Sequence, residues 1–374
     1  MVLMDRIPMA LSERIWKPIL KRICLFILFL PLAGCGHLLY LSHLGWHQSF
    51  ITFQSVPIEE VLQREDLGDE EKERILFIQE VKRFGEKRLG LKRSKNYTKF
   101  YEAKGPPLYI ITASEKDRLL PYYWRFPIIG EVTYKGFFTL EGVIKEKLFL
   151  EQMGLDTYVQ GVSAYSTLGW LKDPIFSTML HWDLPTLTNI ILHEMAHGTI
   201  YFKGETDFNE QLATFIGNQG TIEFLKEKFG DSAKELNLAK DYQHDDLLFS
   251  DWIEQAYEHL SNFYAQPLSK EEKLEKREEV FRFIQNRLRE MKDRFRTDCY
   301  RDFDRRRINN AVILAHRRYL YRMDRFEILY ESLGRDMKKL IHFFEEVKRS
   351  GEKPGPYLER WMKERKITSP SSLR

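Results

Sequence analysis

Apolar residues recur at helical spacing along most of this chain and at strand spacing in a few short stretches. Between Asp69 and Leu89, Ile75, Leu76, Ile78 and Val81 form one stripe, and Gly85 and Gly90 end it. Pro57 suits the start of an earlier helix. Leu108–Thr112, just after Pro106-Pro107, reads as a strand; another is expected around Pro127–Tyr134, and Asp156–Tyr165 alternates like a third. Thr139 is a good cap for a helix reaching Met153 and closed by Gly154. Thr186–Phe202 is an apolar run without proline, hence a helix, and Gly204 follows its end. From Thr221 the pattern is helical, through Glu223–Lys228, Trp252–Tyr264 and Lys270–Phe295. Along the last of these, Val280, Phe283, Ile284, Leu288, Met291 and Phe295 keep the spacing while charges of both signs fill the other face. The prediction is a helix-rich α+β fold, with a small sheet early and a mainly helical region after it.

Composition adds the class. The chain has 374 residues, 43% hydrophobic and 14% aromatic, enough for a large core and one or two domains. Its formal net charge is +3, but residues 1–34 carry five basic and two acidic side chains, and without them 53 of each sign remain. Nothing in that balance suggests a nucleic-acid partner. The basic cluster at Arg88–Lys95 reads as a solvated loop. Lys17, Lys21 and Arg22 precede the short apolar run Ile23–Leu32, which Pro31 breaks, and then comes Leu32-Ala33-Gly34-Cys35. Basic residues, a short apolar run and small residues make an export signal. The cysteine after Leu-Ala-Gly resembles a bacterial lipobox, so 1–34 is expected to be a lipoprotein signal peptide and Cys35 the acylated first residue of the mature chain. An uncleaved signal anchor running to Leu44 is the rival reading, although Pro31, His37 and His43 spoil it. With Cys24 in the signal and Cys35 acylated, only Cys299 is left, which excludes a disulfide framework and suggests an inert thiol.

The chemistry concentrates in Asn189–Gly198. His193-Glu194-Met195-Ala196-His197 sits inside the apolar run, so both histidines fall on one face of a helix, one turn apart. That spacing lets two imidazoles bind one tetrahedral zinc, with Glu194 turned aside and able to act as base to the attacking water. The competing reading is a buried helix whose histidines have ordinary polar partners. A catalytic zinc also needs a third protein ligand and one open position. Glu210 is the first candidate and Asp207 the second. Asp207-x-x-Glu210 also spells a capping box, in which Glu210 folds back to the helix start. The long form with Gly at 200 and His at 203 is excluded by Ile200 and Lys203.

Asn209-Glu210-x-x-Ala213 resembles the second motif of gluzincin metallopeptidases. Gly161–Trp170, Asp173-Pro174, the zinc motif and Phe208-Asn209-Glu210 are together similar to the bacterial putative aminopeptidase family of lipoproteins. The similarity runs from the cysteine segment to about 330 and is most specific over 158–217. It implies a zincin-like catalytic core with a small sheet and the His-Glu-x-x-His helix. It further implies one Zn2+ per chain held by His193, His197 and Glu210, with Glu194 catalytic and a peptide as substrate. The expected organisation is signal 1–34, lipidated tether 35–50, catalytic region 51–220, helical region 221–350 completing the cleft, and a flexible tail 351–374. The expected location is the cell envelope, facing the periplasm and anchored by lipid, on the outer membrane. Further expectations concern the site's surroundings. The strand edge Tyr158–Tyr165 could carry the substrate backbone, and Trp170, in the loop Ser166–Asp183, could line a pocket. Asn309-Asn310 could touch substrate or cap a helix, and Tyr319 or His316 could donate to the oxyanion. His181 is a remote fourth-ligand candidate. No acidic pocket for a free amino terminus is legible in the sequence.

Overall fold

The computed structural model describes residues 35–365 except 127–129, 163, 166 and 168–171, together with the side chains from Tyr40 onward. The expected signal peptide, residues 1–34, together with Ser163 and Trp170, therefore lies outside the described residues. The chain divides into two compact units, Met1–Phe50 and Ile51–Arg374. Helix α1 covers Cys35–Gln54, where a tether merging into a helix was expected. No proline stands between Pro31 and Pro57, so nothing interrupts the helical hydrogen-bond ladder there. No described helix is long and apolar enough to cross a membrane.

In the second unit, β1 (Val56–Pro57) and the single turn α2 (Ile58–Val61) lead to α3 (Asp69–Phe84). On α3, Ile75, Ile78 and Val81 face the core as expected, but Leu76 is exposed and Phe77 and Phe84 are buried instead. The helix does not end at Gly85. It continues as one π-helical turn, Gly85–Leu89, and stops at Gly90, whose φ of 83° suits glycine. The central sheet has the order β6-β3-β7, all antiparallel, from β3 (Leu108–Ser114), β6 (Tyr134–Phe137) and β7 (Asp156–Val162). A second sheet orders β1-β2-β8 with β2 (Lys99–Tyr101) and β8 (Ile175–Phe176), and β4 (Trp124–Phe126) pairs with β5 (Gly130–Val132). Of the strand expected around 127–134, Gly130–Val132 forms β5 and Tyr134 opens β6, while 127–129 lie outside the described residues. Helix α4 (Leu140–Gln152) begins at Thr139, whose Oγ1 accepts from the Gly142 amide at 3.1 Å.

Helices make up the rest: α5 (Leu184–Thr199), α6 (Thr206–Phe229), α7 (Lys234–Tyr264), α8 (Lys270–Glu290), α9 (Asn310–Leu320), α10 (Asp324–Ser332), α11 (Met337–Ser350) and α12 (Pro354–Glu364). The architecture is helix-rich α+β. On α8, Ile284 and Leu288 are buried as expected, but Phe281 takes the inward place expected of Phe283, which is exposed. Two corrections concern boundaries. Within the tail expected to be mobile after 350, Pro354–Glu364 instead forms α12, whose Leu358 and Met362 join the first core, while 366–374 lie outside the described residues. The boundary expected at 220 falls inside α6. The apolar interior divides elsewhere, into one cluster built from 51–239 and 326–362 and another from Leu248 to Leu320.

Candidate metal centre

Helix α5 carries His193, Glu194 and His197, and its start is well determined. Asp183 accepts from the Thr186 amide at 2.8 Å, and Pro185 occupies the first turn, where its missing N–H costs nothing. The inward face of α5 is seated by leucine and glycine. Leu192 lies against Gly85 and Gly220: a Cβ on Gly220 would stand 2.8 Å from the Leu192 Cδ1 and 2.7 Å from the Leu89 Cδ1. These two glycines let α3 and α6 approach α5 closely, which brings the first turn of α6 opposite the histidines.

That turn is held by Asn209. Its Oδ1 accepts from the Phe202 amide at 2.9 Å and its Nδ2 donates to the Phe202 carbonyl at 2.8 Å, pinning the connection between α5 and α6. Glu210 then points inward. Its Oε2 lies 3.4 Å from His193 Nε2 and 3.3 Å from His197 Nε2, and the two imidazole nitrogens are 3.1 Å apart. The Tyr134 hydroxyl donates to the other oxygen, Oε1, at 3.2 Å. The capping-box reading of Glu210 does not hold, since the residue at the cap of α6 is Glu205 and no side chain caps that end. Asp207 is not part of the group. It accepts from the Thr133 hydroxyl at 3.3 Å and faces Arg318 at 3.5 Å.

His193, His197 and Glu210 form a group that could bind a metal ion. The fit can be tested by geometry. Bonds of roughly 2.0–2.1 Å around a tetrahedral ion separate its ligands by about 3.3–3.4 Å, and the three separations here are 3.1, 3.3 and 3.4 Å. Two imidazoles and a carboxylate are also a donor set of the right chemistry for a borderline cation such as zinc. The electrostatics agree. Burial pushes the Glu210 carboxyl up, but the His197 charge and hydrogen bonds from both histidines outweigh it and hold Glu210 well below the carboxylate range. Burial pulls His197 down, yet the charge and hydrogen bond of Glu210, with the Glu194 charge, leave it raised. Glu194 is pushed up by burial, partly restrained by His193 and His197.

The oxyanion candidates separate. Tyr319 of α9 has its ring 6.4 Å from that of His193, and burial followed by the Glu210 charge raises its hydroxyl above the ordinary range. His316 is instead enclosed by Tyr158, Phe249 and Phe303, with its pKa lowered to about 4 by burial and by Arg306 and Arg318. Asn309 and Asn310 are structural pins. Asn309 Oδ1 accepts from the Val312 amide at 3.0 Å and its Nδ2 donates to the Thr157 carbonyl at 3.0 Å. Asn310 Nδ2 donates to the Glu115 carbonyl at 2.8 Å. With the Asn310 amide on the Asp156 carboxylate, these contacts hold the first two residues of β7, an edge strand that pairs with β3 on its other side. The strand that reaches the metal group is β6, through Tyr134, and not β7. His181 ends a short 3-10 turn and lies outside the group. Behind the site, Asp173 accepts from Asn96 at 3.0 Å and from Thr167 at 2.8 Å, and burial moves its pKa up to about 6. Tyr134 was invisible in the sequence, because nothing in a strand pattern announces a partner 76 positions away.

No curated protein and no solved structure matches the chain significantly. A family does, over residues 39–360. The matched span takes in the sheet, the metal group and nearly all of the helical region. By that match the chain belongs to the family described as "Putative aminopeptidase".

Proposed function

We propose that the protein is a zinc-dependent metallopeptidase, working as an aminopeptidase, in which His193, His197 and Glu210 hold one zinc. The observation that carries this reading is the convergence of two imidazoles and one carboxylate at ligand spacing, with Glu194 half-buried one residue from the first ligand. When bound, zinc would lower the pKa of water toward about 7 and polarise a carbonyl oxygen. The remaining work belongs to the chain. Glu194 takes a proton from the attacking water, and burial has raised its proton affinity for that task. It then returns the proton to the leaving amine. Tyr319, beside His193, is the hydroxyl in position to donate to the developing oxyanion. Tyr134 holds Glu210 in place through Oε1, leaving Oε2 for the metal. Asn209 fixes the turn that presents it.

The test is metal content by mass spectrometry on a chain beginning after Cys35, wild type beside His193→Ala and Glu210→Ala. One zinc per chain, lost or sharply weakened in both variants, is the expected result. A folded wild-type chain that takes up no zinc would sink the reading. The lipobox supports a second part of the proposal: an acyl chain on Cys35 anchors the protein to the periplasmic side of the envelope, on the outer membrane. Cys35→Ser should then move the protein from the membrane fraction to the soluble one. An unchanged distribution would contradict it.

A further inference from the structure

Beside the metal group lies a cavity of about 390 Å³, lined among others by His193, Tyr319, Asn189, Asn218, Asp246 and His316. Its polar groups form a chain. Asn189 Nδ2 donates to Asn218 Oδ1 at 2.6 Å. With its oxygen so occupied, Asn218 bonds Asp246 through its amide nitrogen. The Tyr300 hydroxyl donates to Asp246 Oδ1 at 2.6 Å. Asp246 thus has neutral donors around it, and among the described residues no lysine, arginine or histidine lies within ion-pair distance of it. The charge that acts on it is another carboxylate, Asp245. Burial moves its pKa up to about 6, while the hydrogen bonds from Tyr300 and Asn218 draw it back. Another lining group, His316, has a buried Nε2 with no hydrogen-bond partner.

Asp246 is half-buried in the cavity wall, and a carboxylate partly shielded from water is favoured by a counter-charge. Here the cavity is the open side of Asp246, and the same cavity is bounded by a metal ligand. We propose that this cavity is a substrate subsite in which Asp246 receives an alkylammonium group of the peptide, close to the bond being cut. The proposal rests on the peptidase reading above. Its scale is set by helix geometry. Asn189 precedes His193 by four residues on α5, about 6 Å along the axis, and Asn218 follows Glu210 by eight on α6, about 12 Å. A peptide residue spans about 3.3–3.6 Å, and a lysine side chain extends over roughly 6 Å from its four-carbon stem. The ammonium is therefore either the α-amine of a short substrate or the side chain of a lysine adjoining the scissile bond.

The experiment uses the zinc-loaded Glu194→Gln protein, which should bind peptides without turning them over. Calorimetry would compare three probes: trialanine amide with a free amino terminus, its N-acetylated form, and N-acetyl-Ala-Lys-Ala amide. The expected result is at least tenfold tighter binding of one or both cationic probes than of the acetylated trialanine. Which of them binds tighter identifies the ammonium. Asp246→Asn should abolish that preference while keeping acetylated trialanine within about twofold. Gln243→Lys, which places a cation in the cavity without disturbing the partners of Asp246, should abolish it too and serves if Asp246→Asn does not fold. Equal binding of all three probes, or a preference that survives either folded variant, overturns the proposal but leaves the peptidase reading intact. No binding of any probe, together with no turnover by the wild type, would overturn the peptidase reading and the subsite with it.

Discussion

At the scale of single residues, His197 and Glu210 make opposite and linked adjustments. Glu210 is held below its ordinary 4.5, so its contribution to stability is present above pH 4.5 and lost as the pH falls through its depressed value. His197 is raised above its ordinary 6.5, so its contribution is complete below pH 6.5 and lost as the pH rises through its raised value. In the metal-free protein both act together between pH 4.5 and 6.5. The gap in Tm between wild type and Glu210→Gln, each measured in chelator, should be widest in that window and shrink as the pH climbs past the raised His197 value. A gap that widens above pH 8 would contradict the pairing. Glu194→Gln should leave zinc content unchanged and cut kcat by about 10²–10⁴, the usual worth of a positioned acid–base group. Assay of peptide hydrolysis beside metal analysis checks both halves. His193, Glu194 and His197 were legible because their spacing is local. Glu210 was legible only as one of several readings, since a carboxylate near a helix start can cap it, bind metal or face water.

At the scale of elements, the site depends on how closely α5, α6 and the α3 π-turn approach each other. Gly220→Ala would drive a methyl to within 3 Å of two buried leucine side chains, and overpacking of that kind costs about 1–3 kcal/mol. The expected readout is a lower Tm with weaker zinc retention. Gly198→Ala on α5, where a Cβ meets nothing within 4 Å, should be neutral or stabilise by about 0.5–1 kcal/mol. Equal effects of the two would refute the packing account. Asn209→Ala strips the Phe202 amide and carbonyl of their buried partner, at about 1–3 kcal/mol for the unsatisfied groups. It should weaken zinc binding although Asn209 is no ligand. The helix that follows the zinc motif was readable from the sequence, but its cap was not, because Asp207 was drawn away by Thr133 and Arg318.

At the scale of the molecule, the metal group joins α5 and α6, two of the elements that bury the first apolar core. An ion bound there in the folded state alone adds stability by mass action, about 2.7 kcal/mol when free metal is a hundredfold above its Kd. Removing zinc with chelator should therefore lower Tm, and His197→Ala should erase the response. An equal Tm with and without zinc in the wild type would show that no folded-state site exists. The second core, from Leu248 to Leu320, holds α7, α8 and α9 together and so brings Asp246 and Tyr319 into the lining of one cavity.

The sequence by itself determined what depends on neighbours a turn or a strand-step apart. The α5 helix with its paired histidines, the Thr139 cap, the helical periodicity after Thr221 and the helix-rich α+β class all follow from short-range geometry. Even there it misplaced single faces, at Leu76 and Phe283, since periodicity gives a stripe but not which edge of it meets another element. Only the tertiary structure decided that Glu210 turns to the histidines, that Tyr134 on β6 supports it, and that Asn309 and Asn310 are spent on pinning β7. It also turned part of an expected loose tail into α12. Each of these rests on contacts between residues far apart in the chain. Their energies come from burial and from hydrogen bonds that do not exist until the core has closed.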